Sequence, residues 1–156
     1  MDIWLKIEKL LLFCILVVFL GWVAREQGRE VEFSKLAEEV TNPLEPERLQ
    51  QGNEQLLRRL YGLNGSELKH WMIYTSVDNM DVEELLLVEC RTQEQLEQVE
   101  EAVEDRIDLQ KHNFEGYGPE QVQLIEQSVI GERSLYLLFV ISEEAEEVRE
   151  GFLRAF

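Results

Sequence analysis

The chain has 156 residues, of which 45% are hydrophobic and 30% are charged. This composition fits a globular domain with an appendage and excludes an intrinsically disordered protein. The 15 basic and 32 acidic residues give a net charge of −17. Such a charge repels phosphate groups, so we expect no nucleic-acid partner, whereas basic partners are compatible. The two cysteines, Cys14 and Cys90, are too few for a disulfide framework and indicate no redox compartment.

An uninterrupted apolar run, LLLFCILVVFLGWVA, occupies residues 10–24. Extended back to Trp4, it is long enough to cross the roughly 30 Å hydrocarbon core of a bilayer. Trp4 and Trp22 then lie where interfacial aromatic residues are found. Signal-peptide cleavage after Ala24 would require small residues before the cut, but Trp22 stands at the third position before it. Lipidation of Cys14 is disfavoured because Phe13 precedes it. The run therefore predicts an uncleaved membrane span.

We assign residues 1–25 to this signal anchor; the alternative is a buried core helix, which the lack of a polar face disfavours. A short tail before a single span most simply stays in the cytoplasm, which places the acidic domain outside the cell. The positive-inside bias is weak because Lys6 and Lys9 are balanced by Arg25 and Arg29. The inverted topology therefore stays open.

Residues 26–65 predict a helical stalk followed by a lead-in helix. The first helix is indicated by apolar residues at helical spacing and is broken at Pro43 and Pro46. The second carries a leucine stripe and ends near Gly62 and Gly65. The apolar positions of the two helices are Phe33, Leu36, Ala37 and Val40, then Leu56, Leu57 and Leu60.

Residues 66–156 predict an α+β domain with a small antiparallel sheet of two hairpins, about four strands, flanked by helices. Thr92 with Gln95 resembles a capping box that opens a long helix, and Pro119 suits the start of a shorter one. Ser142 is expected to cap the last helix. The predicted strands cover residues 71–77, 84–90, 128–130 and 135–141, with a turn at Gly131-Glu132 between the last two.

Arg106 and Gln110 lie on the apolar side of the long helix. At about 100° per residue, with Leu96 at zero, the apolar arc is centred near 300°, Arg106 falls near 280° and Gln110 near 320°. A cation there costs several kcal/mol unless it is paired and hydrogen-bonded. Arg106 therefore requires a carboxylate, and the nearest candidates in the sequence are Glu83, Glu84 and Glu89.

Two interpretations of these polar residues stay open. Arg106 and Gln110 either tie the helix to the sheet as an internal polar anchor, or line a pocket for a carboxylate-bearing ligand. The candidate residues of the anchor or pocket are Arg106, Gln110, Tyr117 and Glu84, supported by Phe114 and Pro119 in the turn after the helix.

The pattern formed by Glu83-Glu84-Leu85, R-x-x-x-Q and F-x-x-Y-x-P resembles a domain-of-unknown-function family. Its members are small membrane-anchored or lipoprotein envelope proteins of low-GC Gram-positive bacteria. The resemblance covers residues 56–156. It implies an extracytoplasmic domain and no particular activity, and this chain departs from the lipoprotein members because it lacks an acceptable lipidation cysteine.

The sequence contains no catalytic, metal or cofactor motif. His70 and His112 read as exposed loop residues, and Cys90 as a buried strand-end thiol. We therefore expect a non-enzymatic binding or assembly module at the cell envelope, with no cofactor, a membrane span and a possible protein partner. The alternatives are a ligand sensor with its pocket at Arg106, or an envelope-polymer hydrolase that uses acidic residues.

Overall fold

The computed structural model describes residues 8, 12, 13, 15–17 and 31–156 of the chain. The chain divides into two compact units, residues 1–30 and residues 31–156. The predicted membrane anchor at residues 1–25 lies largely outside the described residues, which include six of its positions. Within the part that is described, no helix has the length and apolar character needed to cross a membrane.

The second unit is built on one antiparallel sheet of five strands in the order β1-β2-β3-β5-β4. β3 and β5 are buried along their whole length because helices cover both faces of the sheet. The strands are β1 (Leu49–Gln51), β2 (His70–Ser76), β3 (Glu84–Glu89), β4 (Val129–Arg133) and β5 (Tyr136–Ile141).

Five helices of the second unit pack on this sheet in two layers, so the α+β class is confirmed. Leu86 of β3 faces a core formed with α2, α3 and α4, which we term the α3 face. Leu85 faces the opposite core, formed with α1 and α5, which we term the α5 face. The helices are α1 (Phe33–Thr41), α2 (Glu54–Tyr61), α3 (Gln93–Phe114), α4 (Pro119–Glu126) and α5 (Ala145–Arg154).

The part of the predicted stalk that the structure describes, from residue 31 onward, belongs to the folded unit. Leu36 and Val40 of α1 are fully buried on the α5 face. The backbone carbonyl of Val31 accepts a hydrogen bond of 2.9 Å from the Tyr136 hydroxyl, and the Phe33 ring stacks on His70 with 5.3 Å between ring centroids. Residues 31–65 therefore belong with the sheet, where the sequence assigned residues 26–65 to a stalk and lead-in helices.

Two strand boundaries also differ from the prediction. The sequence placed a turn at Gly131-Glu132, but β4 continues through both residues and the turn is Ser134-Leu135, with Ser134 at a φ of 55°. Gly131 lies inside the strand beneath Phe152 of α5, and a Cβ there would be in van der Waals contact with that ring, 3.4 Å from Cδ1. β1, which was not predicted, adds a fifth strand at the edge beside β2.

Side chains fix both helices that flank the site. Asn53 accepts a hydrogen bond of 3.1 Å from the Leu56 N–H at the start of α2, and Gly62 ends that helix with a φ of 68°. Thr92 accepts one of 3.2 Å from the Gln95 N–H, as the predicted capping box requires, and α3 then runs to Phe114.

Candidate functional site

Glu84 is an acidic residue inside the sheet. As the first residue of β3 it lies opposite Thr75 of β2 and Ile141 of β5. Side chains alternate along a strand, so Glu84 shares the α3 face with Leu86, and it is only 2% exposed. A carboxylate at that depth must be balanced by hydrogen bonds and a positive charge.

Arg106 supplies that charge from α3. Its Nη2 donates to Glu84 Oε2 at 2.6 Å and its Nε donates to Glu84 Oε1 at 3.2 Å, which makes a two-pronged ion pair. The Tyr61 hydroxyl, at the end of α2, also donates to Oε1. The Tyr61 ring packs edge-on against Phe139 of β5, with centroids 6.4 Å apart. One carboxylate thus joins α2, α3 and the sheet.

The electrostatics of this cluster keep Arg106 charged and Tyr61 neutral. Burial works to lower the pKa of Arg106, but the hydrogen bonds and negative charge of Glu84 outweigh it and raise that pKa. Burial, followed by the charge of Glu84, raises the pKa of Tyr61 well above its usual value. The guanidinium is therefore a cation and the phenol a neutral donor at physiological pH.

Gln110 extends the polar stripe by one turn of α3 beyond Arg106, and Phe114 follows one turn later. Gln110 is 7% exposed; its side-chain amide makes no hydrogen bond with any described residue, and its amide atoms keep contact with solvent. A primary amide can donate two hydrogen bonds and accept two. Its unused capacity is directed at the adjoining open space, because Gln110 lines a cleft.

That cleft has a volume of about 640 Å³ and lies between α2 and α3 at the end of the sheet. This is within the size range of small-ligand sites, roughly 300–1,000 Å³. Arg106, Gln110 and Phe114 form the wall on α3, and the β2–β3 loop forms a second wall. Five further amides or cations from the β1–α2 segment line it: Gln50, Gln51, Asn53, Gln55 and Arg59.

Charged groups around the cleft are unevenly satisfied. The Asp81 carboxylate accepts hydrogen bonds from Arg48 Nη2 at 3.2 Å and from the Val82 N–H at 2.7 Å. Arg59, exposed on α2, makes no ion pair with any described residue. The hydrogen bonds to Glu84 use two of the five N–H groups of Arg106. Arg59 and Arg106 can therefore still donate to a bound molecule.

The structure brings together three of the four residues predicted for the anchor or pocket: Glu84, Arg106 and Gln110. Tyr117 does not join them, because Gly116, at a φ of 93°, turns the chain outward and leaves Tyr117 62% exposed. Its ring lies on Phe114, with centroids 5.6 Å apart. Pro119 occupies the first turn of α4, as expected.

Sequence reasoning missed Tyr61 and the residues of the β1–α2 segment. Tyr61 lies four residues after Leu57, so it continues the buried stripe of α2, and this spacing was the available signal. Gln50 and Gln51 carried no such sequence signal, because a three-residue polar strand shows no alternation of apolar and polar residues.

The remaining reactive groups lie away from the cleft. Cys90 is a free, buried thiol, and burial raises its pKa to about 11. His70 Nδ1 lies 2.7 Å from Glu89 Oε2 at the far end of β3. Over the described ranges of the chain, no three or more His, Cys, Asp and Glu side chains are arranged to hold a metal ion.

Comparison with known proteins gives one match. The family model described as "Domain of unknown function (DUF4358)" matches residues 42–142, a segment that contains Glu84, Arg106, Gln110 and the whole sheet. No curated protein and no solved structure matches the chain.

Proposed function

The chain belongs to the DUF4358 family of domains of unknown function, and from this premise and the geometry of the cleft we propose that it is a non-enzymatic binding module of the cell envelope. The ligand enters the cleft between α2 and α3. Gln110, Arg106 and Arg59 contact it, and the Glu84–Arg106–Tyr61 cluster holds the cleft wall in place.

One observation carries this proposal: a nearly buried amide, Gln110, lines a cleft of about 640 Å³ and has no hydrogen-bond partner among the described residues. The amide atoms of Gln110 still contact solvent, so a ligand that bonds with Gln110 takes the place of water in the cleft. Because the cleft lining is rich in amides, the ligand we expect is polar, with both donors and acceptors.

Binding, rather than catalysis, fits the state of the reactive side chains. Arg106 and Tyr61 donate hydrogen bonds to the Glu84 carboxylate, while Arg48 and the Val82 N–H donate hydrogen bonds to the Asp81 carboxylate. Neither histidine of the chain is among the residues that line the cleft. Groups that are bonded to one another position a ligand more readily than they transfer protons.

The N-terminal apolar run supports placement at the membrane. Residues 10–24 are uncharged, and the described apolar residues there, Leu12, Phe13 and 15–17, are each at least half exposed. We propose that residues 1–25 anchor the module as a single span with the domain outside the cell. Protease digestion of intact cells tests this: the domain should be cleaved without lysis, and protection until lysis would establish the inverted topology.

Site-directed photo-crosslinking in intact cells tests the binding function. A photoreactive residue at Gln55, exposed on the cleft wall, should give a discrete adduct, whereas one at Glu147, exposed on α5, should not. Gln110→Ala should reduce the Gln55 adduct severalfold while the domain stays folded. Equal adducts at both positions, or an adduct indifferent to Gln110, would refute the cleft as the site.

Hydrolysis of an envelope polymer is the second candidate, favoured by Glu83. This residue is 5% exposed and lines the same cleft as Asp81. Burial raises the pKa of Glu83 and outweighs the positive charge of Arg48, which lowers it. Oε2 lies 3.0 Å from Arg48 Nε, but the geometry makes no hydrogen bond. A carboxyl group of this kind can act as a general acid, so loss of polymer cleavage in Glu83→Gln would support this candidate.

A further inference from the structure

We propose that the ligand is a cationic, extended peptide segment of a partner protein, which adds to β1 as a sixth strand while its side chains enter the cleft. This inference rests on the proposed binding function and deepens it by naming the ligand class. The observations that carry it are the edge of β1 that no described strand pairs with, the polar lining beside that edge, and the surrounding charge.

The hydrogen-bond pattern identifies which backbone groups of β1 are free. The Gly52 N–H donates to the Ile73 carbonyl at 2.8 Å, and the Val77 N–H donates to the Arg48 carbonyl at 2.9 Å. In an antiparallel ladder, bonded and non-bonded pairs alternate. Arg48, Gln50 and Gly52 therefore face β2, and the N–H and C=O groups of Leu49 and Gln51 point away from the sheet.

The β2 side of the ladder agrees with this assignment. Leu49 lies opposite Ser76, and the Ser76 N–H donates to the Glu83 carbonyl at 2.8 Å, away from β1. No described residue bonds to the outward groups of Leu49 and Gln51. An added antiparallel strand could pair with them, which is the main-chain recognition used in strand addition.

The edge of β1 opens directly into the cleft, because Gln50 and Gln51 belong to both. A strand paired with β1 presents alternate side chains to the α3 face. There it meets Gln55 and Arg59 of α2, whose amide and guanidinium suit the carbonyl groups of a peptide. The β4 edge does not adjoin this cleft, since no β4 residue is among those that line it.

The charge near β1 favours a basic peptide. Glu45 and Glu47, just before β1, and Asp78, on the cleft wall, are exposed and form no ion pair with a described residue. Of the nearby cations, Arg48 is bound to Asp81 and Arg106 to Glu84, and Arg59 is outnumbered by the acidic residues of the cleft lining. The whole chain carries a net charge of −17, so lysine or arginine in the ligand also accelerates encounter.

The probe is a random decapeptide library selected on the full-length chain in neutral detergent, followed by fluorescence anisotropy on single synthetic peptides. Selected peptides should be enriched in lysine and arginine. Gln51→Pro removes one outward N–H at an edge position, where proline is tolerated, and should weaken binding about tenfold. Glu132→Pro is the matched control, because it alters an outward N–H on the β4 edge, and it should leave the affinity unchanged.

Alternating N-methylation of a selected peptide gives a test that does not alter the protein. Two peptides are compared, one methylated at every odd position and one at every even position. One should lose binding and the other should keep it, because only one of these sets of N–H groups faces β1. Equal effects in both peptides, or a Gln51→Pro affinity equal to wild type, overturn strand addition. If peptides fail but the Gln55 adduct still depends on Gln110, the peptide inference falls and the cleft function stands. If that adduct is also absent, both fall.

Discussion

Replacing Arg106 by Met tests whether the buried ion pair maintains the fold. Methionine keeps the apolar stem and removes the guanidinium, so Glu84, 2% exposed, is left with Tyr61 as its remaining donor. Breaking a buried pair by removing one partner costs about 3–5 kcal/mol. We expect a loss of that order in the free energy of unfolding.

The second partner turns this into a double-mutant cycle. Glu84→Leu with Arg106→Met removes both charges, and apolar replacement of a buried pair is often near neutral. The loss of an acceptor for the Tyr61 hydroxyl still costs about 1–3 kcal/mol. The double variant should therefore be more stable than Arg106→Met alone, with a coupling energy of at least about 2 kcal/mol.

Urea unfolding of the full-length chain in neutral detergent, followed by far-ultraviolet circular dichroism, measures these changes. Arg58→Met is the matched control: Arg58 pairs with Glu54 on the surface of α2 at 3.3 Å, with side chains 63% and 48% exposed. It should change the free energy of unfolding by less than about 1 kcal/mol. An Arg106→Met loss no larger than this control, or additive effects of the two substitutions, would refute the structural role.

Three further predictions concern the rest of the second unit. Burial opposes ionisation of Glu89, but hydrogen bonds, with Lys69 the largest, outweigh it and lower its pKa. The ionised Glu89 therefore stabilises the fold above the pKa of glutamate in the unfolded chain, about 4.3, and this stabilisation is lost as the pH falls. The melting temperature of Glu89→Gln should therefore fall less than that of wild type between pH 5 and pH 3. In a variant in which the cysteine of the apolar run is replaced, Cys90, with a pKa of about 11, should resist iodoacetamide at pH 8 in the folded chain and react in urea. Rapid labelling of the folded chain would contradict the burial of this thiol. Gly65→Ala should destabilise the unit by about 1–3 kcal/mol and shift the tryptophan emission, because a Cβ would lie 2.6 Å from Trp71 Nε1; unchanged emission and stability would show that Trp71 moves aside freely.

Helical periodicity was sufficient to locate the buried polar cluster. The wheel placed Arg106 and Gln110 within the apolar arc of the long helix, and both side chains are largely shielded from solvent, as that geometry requires. It offered three acidic partners for Arg106. The structure selects Glu84 because strand alternation puts it on the α3 face, whereas Glu89 points to the α5 face and Glu83, just before β3, pairs with Arg48.

Features that depend on tertiary context were beyond the sequence. β1 has the polar sequence LQQ and forms only because β2 offers a free ladder. Gly131 resembled a turn residue, yet it lies inside β4, paired with Leu138 and packed beneath Phe152. Tyr117 was grouped with the anchor by its nearness in sequence, and a single glycine, Gly116, directs it to solvent.

The Glu84–Arg106 pair and Gln110 therefore separate stability from recognition on adjacent turns of α3. Arg106 is held by two hydrogen bonds to a fixed strand residue, so its position is set before any ligand arrives. Gln110, one turn further on, has no such partner among the described residues and has the full hydrogen-bonding capacity of its amide available. Loss of Arg106 should lower stability and binding together, whereas loss of Gln110 should lower binding alone.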